Sequence, residues 1–223
     1  MNANVKSAIA AAALATCVGV CGCQIFLPVI ALVEMAFPKS KVPAQFKLPK
    51  GKRVLVFPDD MHQPVAYPPV KRALAEKVSK VLLEKKAVAS AVPYDELVDL
   101  QASEPTFNRL AVSTVGKRVG ADLVILVSID EFRLKDSPVG TLWRGRFAGK
   151  VRVVDVKEGR LWPDESAGRP VAASEPVCDN SSEIYGTVLS RQLAEKLGSE
   201  VAGLFHDRMV SRHRPKEEVN WDE

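Results

Sequence analysis

Apolar positions recur along the chain in two periods, and their alternation predicts the elements of one folded region. Lys52 to Phe57 is a short aliphatic run closed by Pro58-Asp59-Asp60, which predicts a buried strand and a loop. After Pro68-Pro69 the apolar residues Val70, Leu74, Val78, Val81 and Leu82 fall on one helical stripe, with Lys71, Glu76, Lys77, Lys80 and Glu84 facing water. Ala87 to Val92, closed by Pro93, predicts a second strand, and Asp95 to Leu100 a helical turn. Ser103, with Glu104 and Pro105 behind it, is placed as the N-cap of a helix that buries Phe107, Ala111, Val115 and Val119. That helix ends at Gly120, after Lys117 and Arg118 in its last turn.

Leu123 to Val127 carries no polar residue and predicts a central strand buried on both faces. Thr141 to Val156 alternates with period two. Trp143, Gly145, Phe147, Gly149, Val151 and Val153 point one way, and Arg144, Arg146, Lys150 and Arg152 the other. The glycines on the apolar side predict close approach of a helix. Lys157-Glu158-Gly159 turns the chain back into Arg160-Leu161-Trp162, a hairpin, and residues 163–178 are expected to be loop. Asn180-Ser181-Ser182-Glu183 has the form of a capping box. The helix it opens buries Tyr185, Leu189, Leu193, Leu197, Val201 and Leu204, and a polar tail follows from residue 210. The order β-α-β-α-β-β-β-α predicts a single α/β sandwich, with three main helices on a mixed sheet of five to six strands.

The N-terminus is of a different kind. Lys6 precedes an uncharged stretch from Ala8 to Val33, and Val20-Cys21-Gly22-Cys23 lies within it. An aliphatic residue at −3 and Gly at −1 before Cys23 resemble the bacterial lipobox, in which that cysteine is acylated and becomes the new N-terminus. On this reading residues 1–22 are a signal peptide. Residues 23–50 are then a lipidated, membrane-proximal segment whose Pro- and Lys-rich end (38–50) is a tether, and 51–209 are the domain. An uncleaved anchor over Ala8–Val33 is an alternative, weakened by Pro28, and simple secretion is another. All three readings place the domain outside the cytoplasm, on the periplasmic side, and membrane lipid is the first partner expected.

Chain length and charge narrow the classes further. A chain of 223 residues holds one sizeable domain, and a net charge of +4 does not imply nucleic acid. Three of the four cysteines, Cys17, Cys21 and Cys23, crowd the apolar run, which leaves Cys178 without a framework to join. Asp59, Asp60 and His62 follow the first strand, where open α/β sheets hold ligands, and two carboxylates with an imidazole could hold a divalent cation. The same three residues can instead serve a solvated turn. Gly145 to Lys150 superficially suggests a phosphate loop but lacks its Ser or Thr and its helix. No serine-hydrolase elbow, zinc-protease or dinucleotide fingerprint occurs, so no catalytic residue and no cofactor is assigned. Arg144, Arg146, Lys150 and Arg152 form a basic stripe suited to an anionic partner, or to ion pairs with Asp130 and Glu131 on a neighbouring strand.

Three segments resemble a group of bacterial envelope lipoprotein domains. Lys52 to Pro58 is similar to that group's first strand, Gly116 to Val124 to its helix-to-strand joint, and Val151 to Gly159 to its hairpin, with Glu158 where Thr is usual. The group includes the curli-secretion lipoprotein, the lipoprotein activators of penicillin-binding proteins and the N-terminal domain of TolB. The resemblance covers roughly residues 52–205 and implies a non-enzymatic domain that binds envelope proteins or helps build an assembly. An oligomeric secretion component would need longer membrane hairpins than residues 128–162 supply. A membrane-anchored hydrolase or metal-dependent enzyme using the Asp59 loop is the competing expectation.

Overall fold

A computed structural model describes residues 39–65, 67, 69–135, 141–179 and 182–211. The described residues fall into two units, one of residues 41–208 and one containing 39–40 and 209–211. The described elements at the ends are the strands β1 (Lys39–Val42) and β10 (Arg208–Ser211), which pair as a two-stranded ribbon.

The larger unit is the α/β sandwich that the periodicities predict. Its sheet contains β2 (Arg53–Asp59), β3 (Ser90–Ala91), β4 (Leu123–Arg133), β6 (Arg146–Asp155), β7 (Gly159–Trp162) and β8 (Arg169–Ser174). The order is β3-β2-β4-β6, with β7 and β8 flanking different halves of β6. β2 runs parallel to β3 and β4, and β6 is antiparallel to β4, β7 and β8, so the sheet is mixed. β5 (Leu142–Trp143) and β9 (Cys178–Asp179) make a separate short ribbon.

Four helices pack on it: α1 (Pro69–Glu84), α2 (Tyr94–Ser103), α3 (Val112–Arg118) and α4 (Glu183–Ala202). α1 and α4 cover one face, burying Leu74, Val78, Leu189, Leu193 and Leu197 against Val56, Ile125, Phe147 and Val153. The other face buries Leu55, Phe57, Val124 and Leu126 under Leu97, Phe107 and Val115. The polar-free run of β4 is therefore apolar on both faces because both faces are covered.

Several elements differ from the expectations. The turn expected at Asp95–Leu100 is the ten-residue helix α2, so Ser103 ends a helix rather than capping one; its Oγ donates to the Asp99 carbonyl at 2.8 Å. The helix expected through Phe107 to Val119 is broken into a 3-10 turn (Phe107–Arg109) and α3, and Ala111 is exposed between them. The long strand over Thr141–Val156 is interrupted at Arg144-Gly145, where the Arg144 N–H donates to the Leu134 carbonyl. The loop expected over 163–178 contains β8 and the start of β9. Ser182 stands at the N-cap of α4 without a side-chain capping bond, and Asn180 and Ser181 lie outside the described residues. The end of the expected tether is docked: the Gln45 and Phe46 N–H groups donate to the Leu204 carbonyl, and Phe46 stacks on Trp162.

The joints carrying the family resemblance are built as expected. Gly120 takes φ +65° after α3 and Gly159 φ +91° in the β6–β7 turn. The Asp122 carboxylate accepts from the Arg53 N–H at 2.8 Å and the Asp122 N–H returns a bond to the Arg53 carbonyl, locking the start of β4 to β2.

Candidate functional site

The basic stripe lies on the sheet face that α2 and α3 share, beyond the part they cover. Its environment is set by an irregularity in β4. Ile129 pairs with Gly149 and Glu131 with Ala148, so Asp130 is an extra residue, a β-bulge. Simple alternation would send Asp130 and Glu131 to opposite faces. The bulge lets both serve the basic face: Lys150 Nζ stands 3.4 Å from Asp130 and Arg146 Nε 2.9 Å from Glu131. Gly149 is what permits this, because a Cβ there would strike the Ser128 carbonyl oxygen. The expectation that both glycines admit a helix is thus corrected. Gly145 does so, with Leu193 of α4 against it, whereas Gly149 admits its neighbouring strand.

Arg152 is set apart from the others. Its Nη2 donates to Ser128 Oγ at 3.2 Å, while its Nε is buried with no hydrogen-bond partner. No carboxylate pairs with it among the described residues. The Gly168 turn lies over its stem: a Cβ at Gly168 would be 3.1 Å from Arg152 Cγ. Arg144, outside β6, is exposed. The four cations are therefore divided: Arg146 and Lys150 form the ion pairs that are the alternative reading of the stripe, and Arg152 is held half-buried with no counter-charge among the described residues.

The loop after β2 spends its carboxylates on its own shape. Asp59 accepts from the Met61 N–H at 3.1 Å. Asp60 accepts from the Val65 N–H at 3.3 Å and pairs with Lys71 Nζ at 2.9 Å, tying the loop to α1. His62 is exposed. Among the described residues no three His, Cys, Asp or Glu side chains gather so as to hold a metal ion. Asp155, in the β6–β7 turn, is a buried carboxylate. Its burial opposes ionisation, yet its pKa is lowered, because the Lys157 and Glu158 N–H groups donate to it and Lys52 stands 3.6 Å away.

Cys23 lies outside the described residues, and Cys178 is a half-buried free thiol. Among the described residues no helix is long and apolar enough to cross a membrane. Nothing in the sequence signalled the bulge, the isolation of Arg152 or the exposed apolar side chains at the start of α4, since each depends on strand register and docking.

No protein-family model matches the chain, and no curated protein matches it. Among solved structures the chain is similar to lipoprotein GNA1162 from Neisseria meningitidis, at 18% identity over 62% of this chain and 92% of that one, TM-score 0.40. It is similar to the PelC dodecamer from Paraburkholderia phytofirmans at 14% identity over 76% and 98%, TM-score 0.38. A match to TolB from Acinetobacter baumannii, at 11% identity and TM-score 0.27, covers 75% of this chain but 30% of that one. The neighbours include bacterial lipoproteins at low identity, and the particular group named from the sequence motifs is not singled out by them.

Proposed function

We propose that this chain is a membrane-anchored extracytoplasmic lipoprotein whose α/β domain is a non-catalytic module for protein binding or envelope assembly. The observation that carries it is Val20-Cys21-Gly22-Cys23 inside an uncharged run behind Lys6, followed by a Pro- and Lys-rich segment and then a folded domain. Acylation at Cys23 with apolar residues behind it supplies two membrane attachments, which hold far better than one. The binding part of the reading draws support from exposed apolar side chains on adjoining elements. Leu142 lies in β5 of the β5–β9 ribbon and Val177 just before β9, and Ile184 (76% exposed) and Val188 lie one turn apart on α4. The competing enzyme reading draws none from the Asp59 loop, whose carboxylates already hold the loop together.

Intact-mass analysis of native membrane material tests the anchor. The expected mass lacks residues 1–22 and carries fatty-acid increments, and Cys23→Ser accumulates at full length. A native chain that keeps Met1 and bears no acyl mass overturns the reading. Alanine at Asp59, Asp60 and His62 tests the class: a domain that still folds and still cross-links to its envelope partner is a module.

A further inference from the structure

α4 meets Tyr67, just ahead of α1, near its own start, and meets α1 itself further along. A Cβ at Gly186 would lie 3.3 Å from the Tyr67 hydroxyl, and one at Gly198 would meet the Lys77 stem and the Leu74 carbonyl. Alongside these contacts runs an open cleft of about 620 Å³. That volume is in the range of small-molecule sites, roughly 300–1,000 Å³. Its floor is apolar, with Val70, Ala73 and the Tyr67 ring, and its walls are charged.

The charges on those walls do not cancel. Arg72 pairs with Asp95 of α2 and also lies 3.5 Å from Glu76, and Arg191 lies 2.9 Å from Glu195; each Arg–Glu pair is one turn apart on its own helix. The two carboxylates of the cleft are thus already held by its two arginines. Lys77 and Lys80 remain, one turn apart on α1, with no ion pair or hydrogen bond among the described residues. The Lys77 stem is pinned where α4 crosses at Gly198, so part of the ordering a ligand would demand is already met in the fold. Thr187 and Ser190 of α4 also line the cleft; the Ser190 hydroxyl proton is taken by the Thr187 carbonyl, so the lysines are left as the donors to a phosphate.

We propose that this cleft binds a phosphate-bearing ligand, with Lys77 and Lys80 on the phosphate and the less polar remainder over Val70, Ala73 and Tyr67. The choice of phosphate follows from the donors left free. Two ammonium groups act as point charges and suit a phosphate, whereas the guanidinium forks that suit a carboxylate are occupied. The cleft is larger than a bare ion, so the phosphate belongs to a soluble ester or to a lipid headgroup. This site is independent of the anchor and of the basic stripe.

The test is a titration of the full chain in neutral detergent micelles with inorganic phosphate and with glycerol 3-phosphate. In parallel, the chain is mixed with vesicles of phosphatidylglycerol or of phosphatidylcholine. Amide shifts at Thr187 and Ser190 report the site in the unaltered chain. Each lysine is expected to carry about ten-fold in affinity, so Lys77→Gln with Lys80→Gln weakens binding about a hundred-fold. Lys117→Gln with Lys157→Gln removes the same charge from exposed positions outside the cleft and leaves binding unchanged. Saturable glycerol 3-phosphate binding that the first pair abolishes supports a soluble ester. Binding confined to phosphatidylglycerol and lost in the same pair supports a headgroup. No binding of any probe, or equal weakening by the two pairs, overturns the site.

Discussion

On one face of the sheet α1 lies on β2 while α4 lies on β6 and β8, and the layer is continuous from Leu48 to Phe205. On the other face α2 packs on β2 and α3 on β4 and β6, and beyond them stand Ser128, Asp130, Lys150 and Arg152. The first face is closed by two long helices in van der Waals contact. The second is closed for half its extent by short elements and otherwise by ion pairs. Apolar burial is worth roughly 25 cal/mol per Å², whereas exposed ion pairs contribute at most about 1 kcal/mol each. The first face therefore carries the stability, and the second is where the molecule can afford uncompensated charge.

Truncations sharpen this contrast most. Leu193 and Leu97 are both fully buried, one on each face. Leu193→Ala is expected to cost about 4 kcal/mol, because α4 is held along its length and the cavity cannot collapse. Leu97→Ala is expected to cost about 3 kcal/mol, since a ten-residue helix at the edge can settle into the space. Urea denaturation of both variants decides the order, and equal losses would erase the distinction between the faces.

Gly149→Ala probes the seam between them. The added methyl meets backbone rather than a flexible side chain, so the β4–β6 register must shift, at about 2–3 kcal/mol. Gly145→Ala meets the tip of Leu193 at 2.7 Å, which can move, and is expected to lose about 1 kcal/mol. Thermal denaturation of the pair checks the ranking.

These glycines also mark how far the sequence was legible. Period two correctly placed Phe147, Val151 and Val153 on the buried side, and the mixed α/β layering followed from the order of the periodic segments. A bulge leaves no trace in such a pattern, because Asp130-Glu131 looks like any charged strand end. The pairing of Lys150 with Asp130 and of Arg146 with Glu131 is one of the readings the stripe allows, whereas the isolation of Arg152 was unreadable for that reason. The helix α2 was underestimated because Leu97 is its one fully buried side chain, too little for a stripe to show. Asp59 and Asp60 look like ligands in one dimension; in three they are the bonds that shape a loop.

A smaller effect tests the polar fastening of the second face. Glu104, at the end of α2, accepts from the Thr106 hydroxyl and pairs with Arg118 of α3, which holds its pKa at about 2. An unfolded glutamate titrates near about 4.3. A depressed folded pKa contributes stability that is whole above the unfolded value and is lost as pH falls towards the folded one. The urea midpoint should thus fall between about pH 5 and pH 2 more steeply in the parent chain than in Glu104→Gln. Parallel pH curves would show that the bond has no part in holding α2 to α3.

The smallest change is expected where the chemistry looks most dramatic. Arg152 keeps a charge half-buried under the Gly168 turn, with Ser128 Oγ as its hydrogen-bond partner and Nε unsatisfied. Replacing a buried charge by an apolar side chain of similar reach removes its desolvation penalty, and such exchanges are neutral or stabilising. Arg152→Met should leave the unfolding free energy unchanged or raise it by up to about 1 kcal/mol. Lys150→Met, which strips Asp130 of its partner at a third-exposed position, should cost under about 1 kcal/mol. A loss above about 2 kcal/mol at Arg152 would mean that the guanidinium fastens β6 to β4, and the second face would then be as structural as the first. A neutral or stabilising exchange would leave Arg152 as a charge that folding does not require, retained on a part of the sheet beyond the described helices α2 and α3.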